Sequence, residues 1–198
     1  MFGLFKKKKK QNDNTSKNEN KPQFDLDSFQ AVINDTFPGI AIFVRDTDIS
    51  DQCMSNYVPG KIIRELGFTD ASFRVGGIKT THRFTILSNH MGNLSSFEHG
   101  TNWGLCVAKS GSRFKILDVY RFRDKTQIIL LHLPDDERWK MFINAETTIE
   151  KELIETCRKR FETGCTQDLI PELATDNWLA RCRAPLGMDI NGHLFPLE

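Results

Sequence analysis

The chain has 198 residues, with 27 lysines and arginines against 26 aspartates and glutamates, and its net charge of +1 excludes the basic balance that extended nucleic-acid binding needs. That near-neutrality is a cancellation: residues 1–23 hold seven lysines against Asp13 and Glu19, while the rest of the chain is net acidic. A length of this order fits one globular domain with a tail and is enough to bury a core.

Met1-Phe2-Gly3-Leu4-Phe5 is too short for the apolar region of a secretory signal and precedes the lysines instead of following them. Phe2, Leu4 and Phe5 followed by Lys6, Lys7, Lys8, Lys9 and Lys10 form a candidate contact with an anionic membrane surface, where each lysine contributes about 1 kcal/mol. The alternative is a solvated leader. Residues 11–23 contain no large apolar side chain and are expected to stay disordered, so the domain reading is a basic leader and linker over 1–23 and one domain over 24–198. Five cysteines, Cys53, Cys106, Cys157, Cys165 and Cys182, are odd in number and contain no C-x-x-C, which reads as reduced thiols in a cytoplasmic protein. No run approaches the roughly 20 apolar residues of a membrane span.

Leu26, Phe29, Val32 and Ile33 recur at helical spacing, ahead of the Pro38-Gly39 terminator. Ile40 to Val44 reads as a buried strand, and Lys61 to Leu66, between Pro59 and Gly67, as a short helix. Strand-like runs follow over 78–88, Trp103–Lys109, Arg113–Phe122 and Thr126–Leu133, the last three joined by Ser110-Gly111-Ser112 and Arg123-Asp124-Lys125. Beyond Pro134 the pattern turns helical: acidic Asp135, Asp136 and Glu137 precede Trp139 and Phe142, and Ile149, Leu153, Cys157 and Phe161 follow four apart. Shorter helices are expected over Gln167–Leu173 and Asn177–Arg183, then an arm whose Asn191-Gly192 pair signals a hairpin turn. Strands in the middle and helices at the ends argue for an α+β fold: an antiparallel meander of about five strands, helices packed on one face and the other face open.

Three constellations carry candidate chemistry. Along Arg113–Phe122, strand alternation puts Arg113, Lys115, Arg121 and Arg123 on one face, a row suited to a local anion. In the hairpin at 123–125, Asp118 is expected opposite Leu130 and one diagonal step from His132, a pairing that would orient an imidazole as a general base. The loop Ser88–Asn102 gathers His90, Glu98 and His99 at a length compact domains seldom leave unstructured, a candidate binding loop. No recognised metal spacing or phosphate-loop motif is present, so no metal and no cofactor are expected.

The absence of catalytic motifs favours a non-catalytic interaction module, such as an adaptor, inhibitor or immunity-type protein. Its partner would be another protein, with an anionic membrane touched through the leader. The alternative is a hydrolase for a phosphate-bearing substrate, using the Asp118/His132 pair.

Overall fold

One eight-stranded sheet organises the chain, in the order β2-β7-β8-β4-β1-β3-β6-β5. Its strands are β1 (Ala41–Thr47), β2 (Ile62–Arg64), β3 (Thr69–Ser72), β4 (His82–Ser88), β5 (Gly92–Asn93), β6 (Leu105–Ala108), β7 (Arg113–Phe122) and β8 (Lys125–His132). Helices α1 (Leu26–Thr36), α2 (Asp51–Met54), α3 (Thr148–Gly164) and α4 (Asp176–Arg181) complete a mixed α+β fold. The structure, a computed structural model, describes residues 26–198. The expected leader and linker over 1–23, including the membrane-contact candidates Phe2, Leu4, Phe5 and Lys6 to Lys10, lie outside the described residues. Among the described residues no helix is long and apolar enough to cross a membrane.

The sheet is larger than the five-stranded antiparallel meander expected, and it is mixed. Seven adjacent pairs build it, and β4 with β8 is parallel, running from His82↔Thr126 to Leu87↔Leu131. Of the expected meander only the β7–β8 hairpin forms. Strands β6 and β7, joined by residues 109–112, lie five spacings apart in strand order. On a flat sheet that separation is roughly 24 Å, whereas so short a link reaches at most about 18 Å. The sheet therefore curls back on itself. The turn after β6 docks beside β2, with Gly111 N donating to Glu65 O and Ser110 Oγ to Leu66 O, at 2.8 and 2.6 Å.

Neither face is left open. Phe43, Phe84, Ile86, Phe114, Ile116, Ile128 and Leu130 pack on one side under Tyr57, Leu186 and Met188. On the other, Leu87, Leu117, Ile129 and Leu131 meet Val32 and Ile33 of α1, Trp139 and Phe142 of the segment before α3, and Cys157 of α3. Alternate residues of β8 thus feed two cores, which is why its sequence is a continuous apolar run. The C-terminal segment closes the first core. Tyr57 Oη donates to Leu186 O at 2.9 Å, and Gly187, at φ +78, passes so close to Ile63 that a Cβ would sit 2.6 Å from it.

Local departures from the sequence reading have physical causes. The segment read as a helix over Lys61 to Leu66 is β2, since six residues make a marginal helix. As a strand it sends Ile62 and Ile63 to opposite cores and pairs with β7. The 135–143 segment forms a 3-10 turn at Glu137–Phe142, where Asp136 accepts from Arg138 N. Helix α3 starts at a capping box between Thr147 and Glu150. The Asn191-Gly192 turn brings Met188 against Leu194.

Candidate functional site

Parallel pairing puts the ends of β4 and β8 side by side, and a group of chemistry-bearing side chains gathers there. Ser88 closes β4 and its Oγ lies 2.9 Å from His132 Nδ1 at the end of β8. The chain then doubles back, with His90 N donating to Ser88 Oγ at 3.1 Å. This lays the His90 ring on the His132 ring, centroids 3.9 Å apart and planes 28° from parallel. Phe114, directly across the β7–β8 pair, stacks on His132 at 4.8 Å.

His132 is consequently 2% exposed, and its Nε2 is buried without a hydrogen-bond partner. Three residues on, past Pro134, Asp135 is exposed and paired with Lys109 Nζ at 2.8 Å. A ring nitrogen of His90, one of His132 and a carboxylate oxygen of Asp135 all lie within 4.8 Å of one another. These groups line a cleft of about 260 Å³ whose apolar wall is Phe68, Leu94 and Val107 and whose cation is Lys109. A second hollow, about 420 Å³, adjoins it across His90 and Asp135 and is lined by Asp35, Asn89, Asp136 and Arg138.

Burial pushes the His132 imidazole down to about 3, helped by the charges of His90 and Lys109 and opposed by Asp135. Its ring is neutral at physiological pH. Burial also lowers His90, against the pull of Asp135 and of the Leu133 backbone.

Of the residues singled out in the sequence, His90 and His132 meet here and the others do not. Asp118 and His132 do not pair. The hairpin closes with Phe122 opposite Lys125, one residue from the expected register, so Asp118 faces Ile129, and a bulge between Ile116 and Asp118 then makes Phe114 the partner of His132. Because a bulge flips which side the following residues face, Asp118 and Tyr120 turn onto α3, where Arg158 Nε bonds Asp118 at 2.8 Å and Glu162 accepts from Tyr120 at 2.6 Å.

The same bulge breaks the basic row. Lys115 is buried against Glu150 at 2.9 Å and also donates to Ala145 O, and Arg113 donates to Leu197 O and lies over Trp139. Arg121 and Arg123 sit at the exposed hairpin end, Arg123 at φ +57 in the turn. In the 88–102 loop, Glu98 is an internal staple: its carboxylate accepts from Trp103 N, from Leu105 N at 2.6 Å and from Thr101 Oγ1 at 2.9 Å. His99 is exposed in that loop and does not line the cleft.

Sequence reasoning missed Ser88, Lys109 and Asp135. The Asp135 signal was present in Leu-His-Leu-Pro-Asp, where a strand ending in His132 is followed by a carboxylate three positions on. Lys109 and Ser88 depend on long-range strand order.

No protein-family model matches the chain, and no curated protein matches it by sequence. Solved structures do resemble part of it. Exoenzyme S from Pseudomonas aeruginosa, solved with human 14-3-3 protein beta and carba-NAD, superposes with a TM-score of 0.44 at 13% identity, over 64% of this chain and 62% of that one. The ADP-ribosyltransferase HopU1 of Pseudomonas syringae gives 0.43 at 14% identity, over 50% and 47%. The type III effector XopAI from Xanthomonas axonopodis gives 0.42 at 15%, over 48% and 44%. This chain thus spans roughly half the length of the structures it matches. The expectation of a non-catalytic interaction module is corrected by this finding: the matched structures include ADP-ribosyltransferases, which are enzymes, and the module reading is not carried further. At TM-scores below 0.5 the likeness is one of partial fold, so the chemistry of this chain rests on its own residues.

Proposed function

We propose that the chain is an enzyme whose reacting centre is the cleft at the ends of β4 and β8. His90, His132 and Asp135 would touch the reacting molecule, or the group that activates it. Lys109 would hold negative charge, and Phe68, Leu94 and Val107 would receive an apolar portion such as a ring.

The observation that carries this reading is the His132 Nε2 atom, buried and without a hydrogen-bond partner beside an open cleft. Leaving such a group unsatisfied costs about 1–3 kcal/mol, a cost that a polar ligand would remove. A concave site with a few convergent polar groups against an apolar wall is also the usual form of a small-molecule site.

The test is a turnover screen with purified protein on nucleotide-containing substrates. NAD is offered first, because several of the structural neighbours are ADP-ribosyltransferases. Any activity found is expected to fall by roughly 100-fold or more in His90→Ala and Asp135→Asn, the range for removing a group that acts in the transition state, and to persist in Arg121→Ala. Activity that survives both cleft substitutions would sink the reading.

A further inference from the structure

We propose that His90, His132 and Asp135 form a site for one divalent transition-metal ion, with zinc the first expected. The proposal deepens the cleft reading and rests on it for the role of the remaining coordination position. The three ligands themselves stand on geometry.

Two imidazoles and one carboxylate are a donor set that suits zinc and its first-row neighbours, and three protein ligands leave a position open toward the cleft. Each ligand has a reason to be where it is. Ser88 Oγ engages His132 Nδ1 and thereby fixes the ring orientation. With Nδ1–H donating to that oxygen, Nε2 keeps its lone pair, the tautomer a metal selects. The same Nε2 is the buried atom with no partner. His90 Nδ1 is likewise engaged, at 2.8 Å from Asn89 Oδ1. Asp135 already neutralises a cation, Lys109, and a metal ion would take over that role while releasing the ammonium to the cleft.

The site must close on its ion. Tetrahedral bonds of about 2.1 Å place ligand atoms roughly 3.4 Å apart, against a present spread of up to 4.8 Å. The rings of His90 and His132 are stacked, so their in-plane lone pairs run side by side. His90 and Asp135 are both exposed, and it is these two that swing inward, whereas His132 is held between Phe114 and Ser88.

The test is calorimetric titration of the full chain with Zn²⁺ alone, alongside the visible absorption of added Co²⁺. The result expected is one ion per chain and a tetrahedral cobalt spectrum. Because His132→Ala removes a buried ring and risks misfolding, the exposed ligands carry the test. His90→Ala and Asp135→Asn should each weaken Zn²⁺ binding by more than about 10-fold, and Ser88→Ala, which frees the ring, by about 10-fold. Lys109→Ala should bind at least as tightly as the native chain, since its ammonium competes for Asp135. His193→Ala, at the surface pair with Asp189, should change nothing.

Absence of both heat and cobalt absorption, or native affinity in His90→Ala and Asp135→Asn, overturns the proposal. The two readings fail separately. Turnover lost in the cleft variants without any Zn²⁺ binding removes the metal and keeps the cleft. Zn²⁺ held by the three ligands, with turnover untouched by their loss, keeps the metal and removes the cleft as reacting centre.

Discussion

Arg83→Met should be among the most damaging single substitutions in the chain. The guanidinium is 2% exposed and forks onto Asp46, Nε to Oδ1 at 2.6 Å and Nη2 to Oδ2 at 2.7 Å. Its remaining donors hold the Gly76 and Gly77 carbonyls at 2.9 and 3.1 Å. Methionine fills much of the volume but leaves Asp46 as a buried charge with no cation, which costs about 3–5 kcal/mol. For a domain of this size that corresponds to a midpoint lowered by roughly 6–20 °C. Differential scanning calorimetry reads it directly. The double variant Asp46→Leu/Arg83→Met removes the orphaned charge and should recover part of the loss, the two glycine carbonyls still lacking their donors. A shift under about 2 °C for the single variant, or a double variant as unstable as the single one, would refute the reasoning.

Further outcomes follow from the same geometry. Hydrogen bonds from Leu105 and Trp103 N–H and from Thr101, outweighing burial, hold Glu98 below its ordinary value of 4.5. Its contribution is therefore present above that pH and lost as pH falls through the lowered folded value, so the Trp103 and Leu105 amide shifts should titrate together with a midpoint below 4.5. A midpoint above it would contradict the staple. Gly77→Ala puts a Cβ 2.5 Å from Gln167 O and 2.8 Å from Asp168 O, backbone atoms that cannot step aside. A loss of about 1–3 kcal/mol in urea denaturation is expected, and an unchanged midpoint would show that the loop yields. Asp118→Asn weakens only the partly exposed Arg158 pair, so it should cost about 1 kcal/mol or less and leave ligand binding in the cleft intact. Loss of that binding would restore a role for Asp118.

How much of this was legible in the sequence depends on the range of the interaction. Helices α1 and α3 and the bounds of β7 follow from local period and punctuation, and the apolar stripes of the two helices pack on the sheet. Strand order was not legible. The parallel β4–β8 pair is made by chain segments some forty residues apart, and nothing in either local pattern marks the other as its partner. The register of β7 was not legible either, because one extra residue near Leu117 leaves no compositional trace yet reverses every face assignment after it. That reversal turned Asp118 away from the His132 side, whereas Lys115, ahead of the bulge, is a buried partner of Glu150 because α3 covers the face the sequence left open. His90 was visible as a polar residue in an overlong loop. That it lies on His132 follows only from the pairing that brings Ser88 alongside.

The claim that the β4–β8 cleft is the functional centre is tested most directly by mapping where small molecules bind. Amide NMR spectra of the full chain titrated with NAD and with a set of small polar fragments would show it. The account predicts that the perturbed amides cluster at His90, Gly92, Val107, Lys109 and Leu133. Ligands that bind and perturb amides elsewhere while leaving these five unmoved would contradict it.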